Sequence, residues 1–329
     1  MAADLRAGLI GLGMMGRHHA RVLQSLAGVQ LVAVADPSGD AHGVAGGLVV
    51  GDSVQHLIDA GVDYAVVAVP TSEHEAVGLA LAEAGIHAML EKPLAPTAES
   101  AARLAKAFAD KGLVGAVGHI ERFNPALRSL RARLEQGALG EIYQISTRRQ
   151  GPFPARIADV GVVKDLATHD IDLTAWVAQS PYRSVSAHVA VKSGREHEDL
   201  VAVAGLLEGG IVTSHLVNWL SPFKERVTVV TGELGAFLAD TLTADLTFYA
   251  NGTSETTWES LAGFRGVSEG DTVRYALGKR EPLLVEHEAF RDAVLGGGHG
   301  VVTMEEGLVT VRVAEAILES AASGATVLL

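Results

Sequence analysis

The chain has 329 residues, enough for two domains of ordinary size, and 48% are hydrophobic against 20% charged, a composition that fits packed cores and carries no sign of disorder. Lys plus Arg number 26 and Asp plus Glu 39, so the net charge of −13 lacks the basic footprint that nucleic-acid binding needs. Cysteine is absent, which excludes disulfides, thiolate metal sites and a cysteine nucleophile. No apolar run reaches ~18 residues and the N-terminus lacks a signal-peptide pattern, so no membrane helix and a cytoplasmic location are expected.

Strand-like apolar runs occupy Ala7–Ile10, Leu31–Ala35, Tyr64–Val69, Ile86–Leu90 and Leu113–Val117. Segments with helical spacing lie between most of them, as over Glu75–Ala84 and Ala98–Ala109. This alternation predicts a parallel sheet wrapped on both faces. Ser38–Gly51 carries Gly39, Gly43, Gly46 and Gly47, so any helix there is short or frayed. The pattern changes near residue 120. Asn124-Pro125 reads as an N-cap with proline at the first helical position, opening a helix that runs to about Gln136. A second helix is expected over Lys164–Ala178. The β-rich runs Val185–Val191, Leu200–Leu207, Ile211–Val217 and Arg226–Val230, with turns such as Glu208-Gly209-Gly210, predict a mostly antiparallel sheet. Helices around Leu283–Leu295 and Glu305–Ser320 follow. The fold class is α/β: an N-terminal Rossmann parallel sheet over residues 1–120, then an α+β domain with a large, mostly antiparallel sheet over residues 121–329.

Gly11-Leu12-Gly13-Met14-Met15-Gly16 follows the first strand and opens a helical segment. The first glycine permits a tight turn, the second lets backbone approach a pyrophosphate, and the third allows close helix–strand packing. The pyrophosphate would rest on the free N–H groups of the helix N-terminus. Asp36 lies 20 residues after Gly16, at the end of the next strand-like run, where an acid binds the adenosine ribose hydroxyls. It would repel a 2′-phosphate, and no arginine follows it. NAD is therefore expected as cofactor, in preference to NADP.

Other clusters carry chemistry. Glu91-Lys92-Pro93 follows the strand-like run ending at Leu90, at a carboxyl strand end where ligands bind in such sheets. Lys92 can hydrogen-bond a reacting hydroxyl or serve as a solvated loop residue. Asp165 and His169 are four apart and share a helix face, with Asp172 close to the same stripe. A carboxylate can orient an imidazole that takes a proton from an alcohol as hydride leaves. An ordinary polar helix face or a metal site would use the same residue types, but hydride transfer requires no metal and none is expected.

The sequence resembles the glucose–fructose oxidoreductase, inositol dehydrogenase and rhizopine catabolism family (Gfo/Idh/MocA) over nearly its whole length. The motifs that carry this are Gly11 to Gly16, Val69-Pro70-Thr71 with His74, Glu91-Lys92-Pro93, Gly118-His119 with Arg122-Phe123-Asn124-Pro125, and Asp165-Leu166-Ala167-Thr168-His169-Asp170. The resemblance implies a catalytic group of Lys92, Asp165 and His169, with His169 as general acid/base, Lys92 positioning the substrate hydroxyl and Asp165 binding substrate. It adds Val69, Pro70, Thr71, His74, Glu91 and Lys92 to Gly11–Gly16 and Asp36 as cofactor-binding residues. It also implies a cis peptide at Lys92–Pro93, and a homo-oligomer, dimer or tetramer, that pairs C-terminal sheets. A narrower likeness, over Gly118 to Pro125, Gly151-Pro152-Phe153-Pro154 with Arg156, Asp159-Val160-Gly161-Val162 and Asp165 to Asp172, is to the branch containing UDP-N-acetylglucosamine 3-dehydrogenases.

Residues 148 to 164 hold Arg148, Arg149, Arg156 and Lys164 against the single acid Asp159. Arginine forks match phosphate oxygens, so Arg148, Arg149 and Arg156 are expected to join Lys92, Asp165 and His169 in binding an anionic substrate. The leading expectation is oxidation at C3 of UDP-N-acetylglucosamine or a related UDP-sugar. The alternatives are an inositol or free monosaccharide dehydrogenase and, in another class, a non-catalytic NAD-binding sensor.

Overall fold

Six strands form the first sheet: β1 (Leu5–Ile10), β2 (Val29–Ala35), β3 (Val50–Gly51), β4 (Tyr64–Val67), β5 (His87–Glu91) and β6 (Gly115–Gly118). Their order is β3-β2-β1-β4-β5-β6 and every neighbouring pair is parallel, as the alternation predicts. All four residues of β4 are buried, since both of its faces are covered. In this computed structural model, residues 4–153, 160–252, 268–298 and 300–329 are described.

One face of the sheet packs on α2 (Val54–Asp59), α3 (His74–Glu83) and α4 (Ala98–Asp110), where Leu57, Leu81, Leu104 and Phe108 meet Ile10, Val67 and Leu90. The other face packs on α1 (Gly16–Leu23) and α7 (Pro282–Val294), where Ala20, Leu23 and Phe290 meet Leu9, Val34, Tyr64 and Val66. The alternation of strand side chains feeds the two cores separately. Thr97 and Ser100 close a capping box that starts α4. The glycine-rich segment ends in the two-residue β3, and neither β3 nor the six-residue α2 was expected, both being too short to show a periodicity.

The chain divides into two compact units: Met1–Ile120 with Glu281–Glu315, and Glu121–Arg280 with Ala316–Leu329. A single boundary after residue 120 therefore describes only the first crossing. Val302, Met304 and Val311, the last two on α8 (Met304–Ser323), belong to the core of the first unit.

The second unit is built on nine strands: β7 (Ile142–Pro152), β8 (Tyr182–Ala190), β9 (Leu200–Leu207), β10 (Val212–Asn218), β11 (Leu220–Gly232), β12 (Gly235–Asp240), β13 (Asp245–Gly252), β14 (Ser268–Tyr275) and β15 (Val327–Leu328). Their order is β14-β13-β12-β11-β7-β10-β9-β8-β15; β7 and β10 pair parallel and the other neighbours antiparallel. Helices α5 (Pro125–Glu135) and α6 (Thr168–Ala178) cover one face, with Leu127, Leu130, Leu173 and Val177 packed on Ile145, Val230 and Phe237. The Asn124 side chain caps α5 by accepting from Ala126 N at 3.0 Å. The opposite face presents Ser146, Arg148, Ser214 and Leu216 in adjacent register, and Leu216 and Val212 are 38% and 49% exposed.

Candidate active site

The strand order reverses between β1 and β4, and in open parallel sheets ligands bind at that point, beyond the carboxyl ends of the strands. The loops after β1 and β4 meet there. Gly11 has φ +89°, and a Cβ on it would lie 2.5 Å from the Ala68 carbonyl. A Cβ on Gly16 would strike the Gly11 carbonyl oxygen, whereas one on Gly13 would meet nothing within 4 Å. Gly13 thus leaves bare backbone at the entrance to α1, the cradle a dinucleotide pyrophosphate requires. Asp36, at the end of β2, accepts from Leu12 N and from Ser38 N, both at 2.8 Å, so its carboxylate also ties this loop to β2. These residues fit NAD.

Lys92 follows β5, and the Lys92–Pro93 peptide is cis. Two residues expected to touch the cofactor support these loops from within. His74 is fully buried, with its ring nitrogens 3.0 Å from the Pro93 carbonyl oxygen and 3.2 Å from that of Val69. It joins the Val69–Thr71 loop to the lysine loop. Glu91 turns its carboxylate inward: Oε1 lies 2.9 Å from His19 Nε2, and Oε2 accepts from Lys92 N at 3.1 Å. Burial alone would raise the Glu91 carboxyl, but the His19 hydrogen bond and the Lys92 ammonium outweigh it and hold the group below the ordinary carboxylate range.

In the second unit, the segment expected as one α-helix begins with a wider π-turn, Val163–Ala167, that runs into α6. Such turns are frequent at functional sites. Asp165 sits in the π-turn, 7% exposed, and His169 is half-buried at the start of α6. The turn is anchored from a distant loop: Val163 N donates to the Glu198 carboxylate at 3.0 Å and Val162 N to the Glu198 carbonyl at 2.9 Å. The inner side of α6 is fixed by buried ion pairs. Arg149 Nε donates to Asp170 at 2.8 Å and its Nη1 to Glu121 at 2.7 Å, while Arg122 grips both oxygens of Asp172 at 2.7 and 2.9 Å. Breaking one partner of such a pair leaves an uncompensated buried charge.

Of the expected phosphate-binding arginines, Arg148 and Arg149 do not form a group. Arg149 is 2% exposed and engaged with two carboxylates, so it is an internal anchor of α6. Arg148 points to the other face of the sheet, where it pairs with Glu225 at 2.7 Å. Arg156 lies outside the described residues. The sequence reading missed Arg226, which stands opposite Arg149 in the β11–β7 register, is 37% exposed, and lies 3.8 Å from Glu121. Burial and the Arg149 charge pull its pKa down, while the carboxylates of Glu121, Asp170 and Asp165 oppose them. The only available signal was the parity of Arg226 within its strand. Among the described residues no group of three or more His, Asp or Glu is placed to hold a metal ion, and no helix is long and apolar enough to cross a membrane.

Residues 5–119 match the model of the oxidoreductase family with an NAD-binding Rossmann fold, and residues 127–238 match the Gfo/Idh/MocA C-terminal domain. Inositol 2-dehydrogenase 2 of Saccharopolyspora erythraea is 30% identical across 98% of this chain and 94% of its own. The chain belongs to the Gfo/Idh/MocA family. UDP-N-acetylglucosamine 3-dehydrogenase of Acidithiobacillus ferrooxidans is 30% identical over 88% of each chain. The solved structure of that organism's UDP-N-acetylglucosamine 3-dehydrogenase GnnA superposes with a TM-score of 0.84 at 26% identity, covering 98% of this chain and 99% of its own. This Gfo/Idh/MocA protein is an NAD-dependent oxidoreductase acting on hydroxyl-bearing carbons of sugars or polyols.

Proposed function

We propose that the enzyme oxidises C3 of UDP-N-acetylglucosamine, or of a closely related UDP-sugar, to the 3-keto sugar. The observation that carries this reading is Arg226, a partly exposed cation on the α6 side of the sheet and within electrostatic reach of Asp165. An uncharged polyol offers no anion to such a group, and a nucleotide sugar does. The end-to-end likeness to GnnA supports the same choice.

NAD, when bound, supplies the hydride acceptor. His169 takes the hydroxyl proton as C3 gives up hydride, a step for which imidazole has a suitable pKa. Asp165 orients the imidazole and contacts the sugar. Lys92 donates a hydrogen bond to the reacting oxygen and stabilises the negative charge that develops on it. Substrate binding energy gathered at Arg226, away from the reacting carbon, helps hold the ring for transfer. The exposed sheet face carrying Leu216 and Val212 is the surface through which the subunits of a homo-oligomer pair.

The test is NADH formation at 340 nm with UDP-N-acetylglucosamine, free N-acetylglucosamine and myo-inositol. The UDP-sugar is expected to turn over and the free sugar to be poor. His169→Ala should lower kcat by about 10²–10⁴-fold and leave NAD affinity within twofold. Equal efficiency on free sugars or inositol would transfer the assignment to the inositol and monosaccharide dehydrogenases. NAD binding without turnover of any of the three would favour a sensor.

A further inference from the structure

Three side chains from distant parts of the sequence meet inside the first unit. His19 stands on α1, one turn beyond the glycine loop; Glu91 ends β5; His287 stands on α7. His19 Nε2 is 2.9 Å from Glu91 Oε1, and His19 Nδ1 is 2.9 Å from His287 Nε2. Both histidines are 1% exposed. Neither contacts solvent enough to serve as a base for substrate.

We propose that His19 and His287 are positioning residues for Lys92: together they fix the Glu91 carboxylate, which in turn fixes the backbone from which the lysine projects. The inference takes from the proposed function only that Lys92 acts on the substrate hydroxyl.

The protons in this chain have one satisfactory arrangement. An ionised Glu91 only accepts. Its Oε1 then receives His19 Nε2–H and its Oε2 receives Lys92 N–H. A neutral His19 with its proton on Nε2 has a lone pair on Nδ1, so His287 Nε2 must donate to it. His287 is left with a bare Nδ1, and that atom is buried with no hydrogen-bond partner among the described residues. Placing a proton there would create a buried donor without an acceptor, an unfavourable state that is worse if the ring is charged. Burial disfavours a charged His287, in agreement with this arrangement. Every donor along the chain therefore points toward Glu91. On the far side of the lysine, the His74 ring holds the Pro93 and Leu94 carbonyls, so the loop is held from two directions. Helix α7, although it arrives late in the chain, becomes part of what sets the lysine.

Two measurements test this. Nitrogen-15 NMR of the histidines in the intact protein at pH 8 should show His19 and His287 each with its proton on Nε2, and His287 should stay neutral down to pH 6. Titration of His287 in that range, or a proton on Nδ1 of either ring at pH 8, would overturn the arrangement. This readout needs no substrate, so its failure is distinct from failure of the UDP-sugar assignment, and it decides the matter even where a variant does not fold. With whichever sugar or polyol is turned over, His287→Leu should lower kcat by about 10–100-fold, the scale of a displaced catalytic group, with NAD affinity within twofold. His287→Gln, which retains an N–H toward His19, should recover most of that loss. Unchanged kcat in the leucine variant, or equal losses in both variants, would reduce the two histidines to packing.

Discussion

Arg148 and Arg149 are neighbours on β7, yet they serve opposite faces of one sheet: Arg149 anchors α6 through Asp170, and Arg148 pairs with Glu225 on the far side. Strand parity separates them, because successive side chains point in opposite directions. Arg226 stands in register with Arg149, and the proposed function gives it the substrate-binding role that the sequence suggests for the pair.

The kinetic consequence is a contrast between two variants. Arg226→Gln should raise KM for a UDP-sugar at least tenfold, consistent with loss of a charge-assisted hydrogen bond of about 1.5–3 kcal/mol. Arg148→Gln should leave KM within twofold. A larger effect at Arg148 than at Arg226 would reverse the assignment.

Asp36 carries one observed task and one proposed task that can be separated. Its carboxylate holds Leu12 N and Ser38 N, and the proposed task is to bind the ribose hydroxyls of NAD. Asp36→Ala should weaken NAD about tenfold or more while changing NADP little, because the variant also removes repulsion of the 2′-phosphate. Calorimetric titration with each dinucleotide gives the ratio. Equal weakening of both would mean that the loop anchor is its whole role.

His215 predicts a pH dependence of stability. It is 3% exposed, its ring nitrogens lie 2.8 Å from Thr147 Oγ1 and from Tyr182 OH, and burial pushes its pKa down to about 4. The unfolded chain titrates near 6.5. Between these values the unfolded state binds a proton that the folded state refuses, so stability is lost as pH falls from about 6.5 toward 4. From pH 7 to pH 5 this single group accounts for about 2 kcal/mol. Urea unfolding at the two pH values should show His215→Gln losing correspondingly less than the wild type. Parallel losses would place the acid sensitivity elsewhere.

The exposed sheet face gives a prediction on assembly. Leu216, 38% exposed amid Ser146, Ser214 and Arg148, should lie inside a subunit contact. Leu216→Glu should yield a monomer by light scattering where the wild type gives a dimer or tetramer. A monomeric wild type at micromolar concentration would remove the proposal.

The first unit was largely legible because its strands are buried on both faces and read as apolar runs separated by helical spacing. Gly11–Gly16 and Asp36 lie where their spacing puts them, since a tight turn and a strand end are local properties. What was hidden is non-local. The π-turn at Val163–Ala167 has no composition of its own and rests on Glu198, more than thirty residues later. The inward turn of Glu91 and His74 could not be read from motifs that say only that those residues recur near a cofactor. His19 and His287 stand 268 positions apart, beyond the reach of any periodicity. The split between Arg148 and Arg149 follows from strand alternation: Thr147 and Arg149 are buried, while Ser146, Arg148 and Gln150 are half-buried or exposed.

The core of the first unit draws on both ends of the sequence. Phe290 stands edge-on to Tyr64 at 5.3 Å, Val302 accepts from Val117 N at 2.9 Å, and Met304 and Val311 fill the opposite core. During synthesis, residues 121–280 must leave the ribosome before these pieces exist, an interval on the order of ten seconds at ~5–20 residues per second. Throughout it, the apolar surface that α7 covers stands open to water. The nucleotide-binding half is the first begun, yet it closes only after residues 121–280 of the other half have been made, and a nascent chain stalled before residue 281 would present that surface to chaperones and proteases.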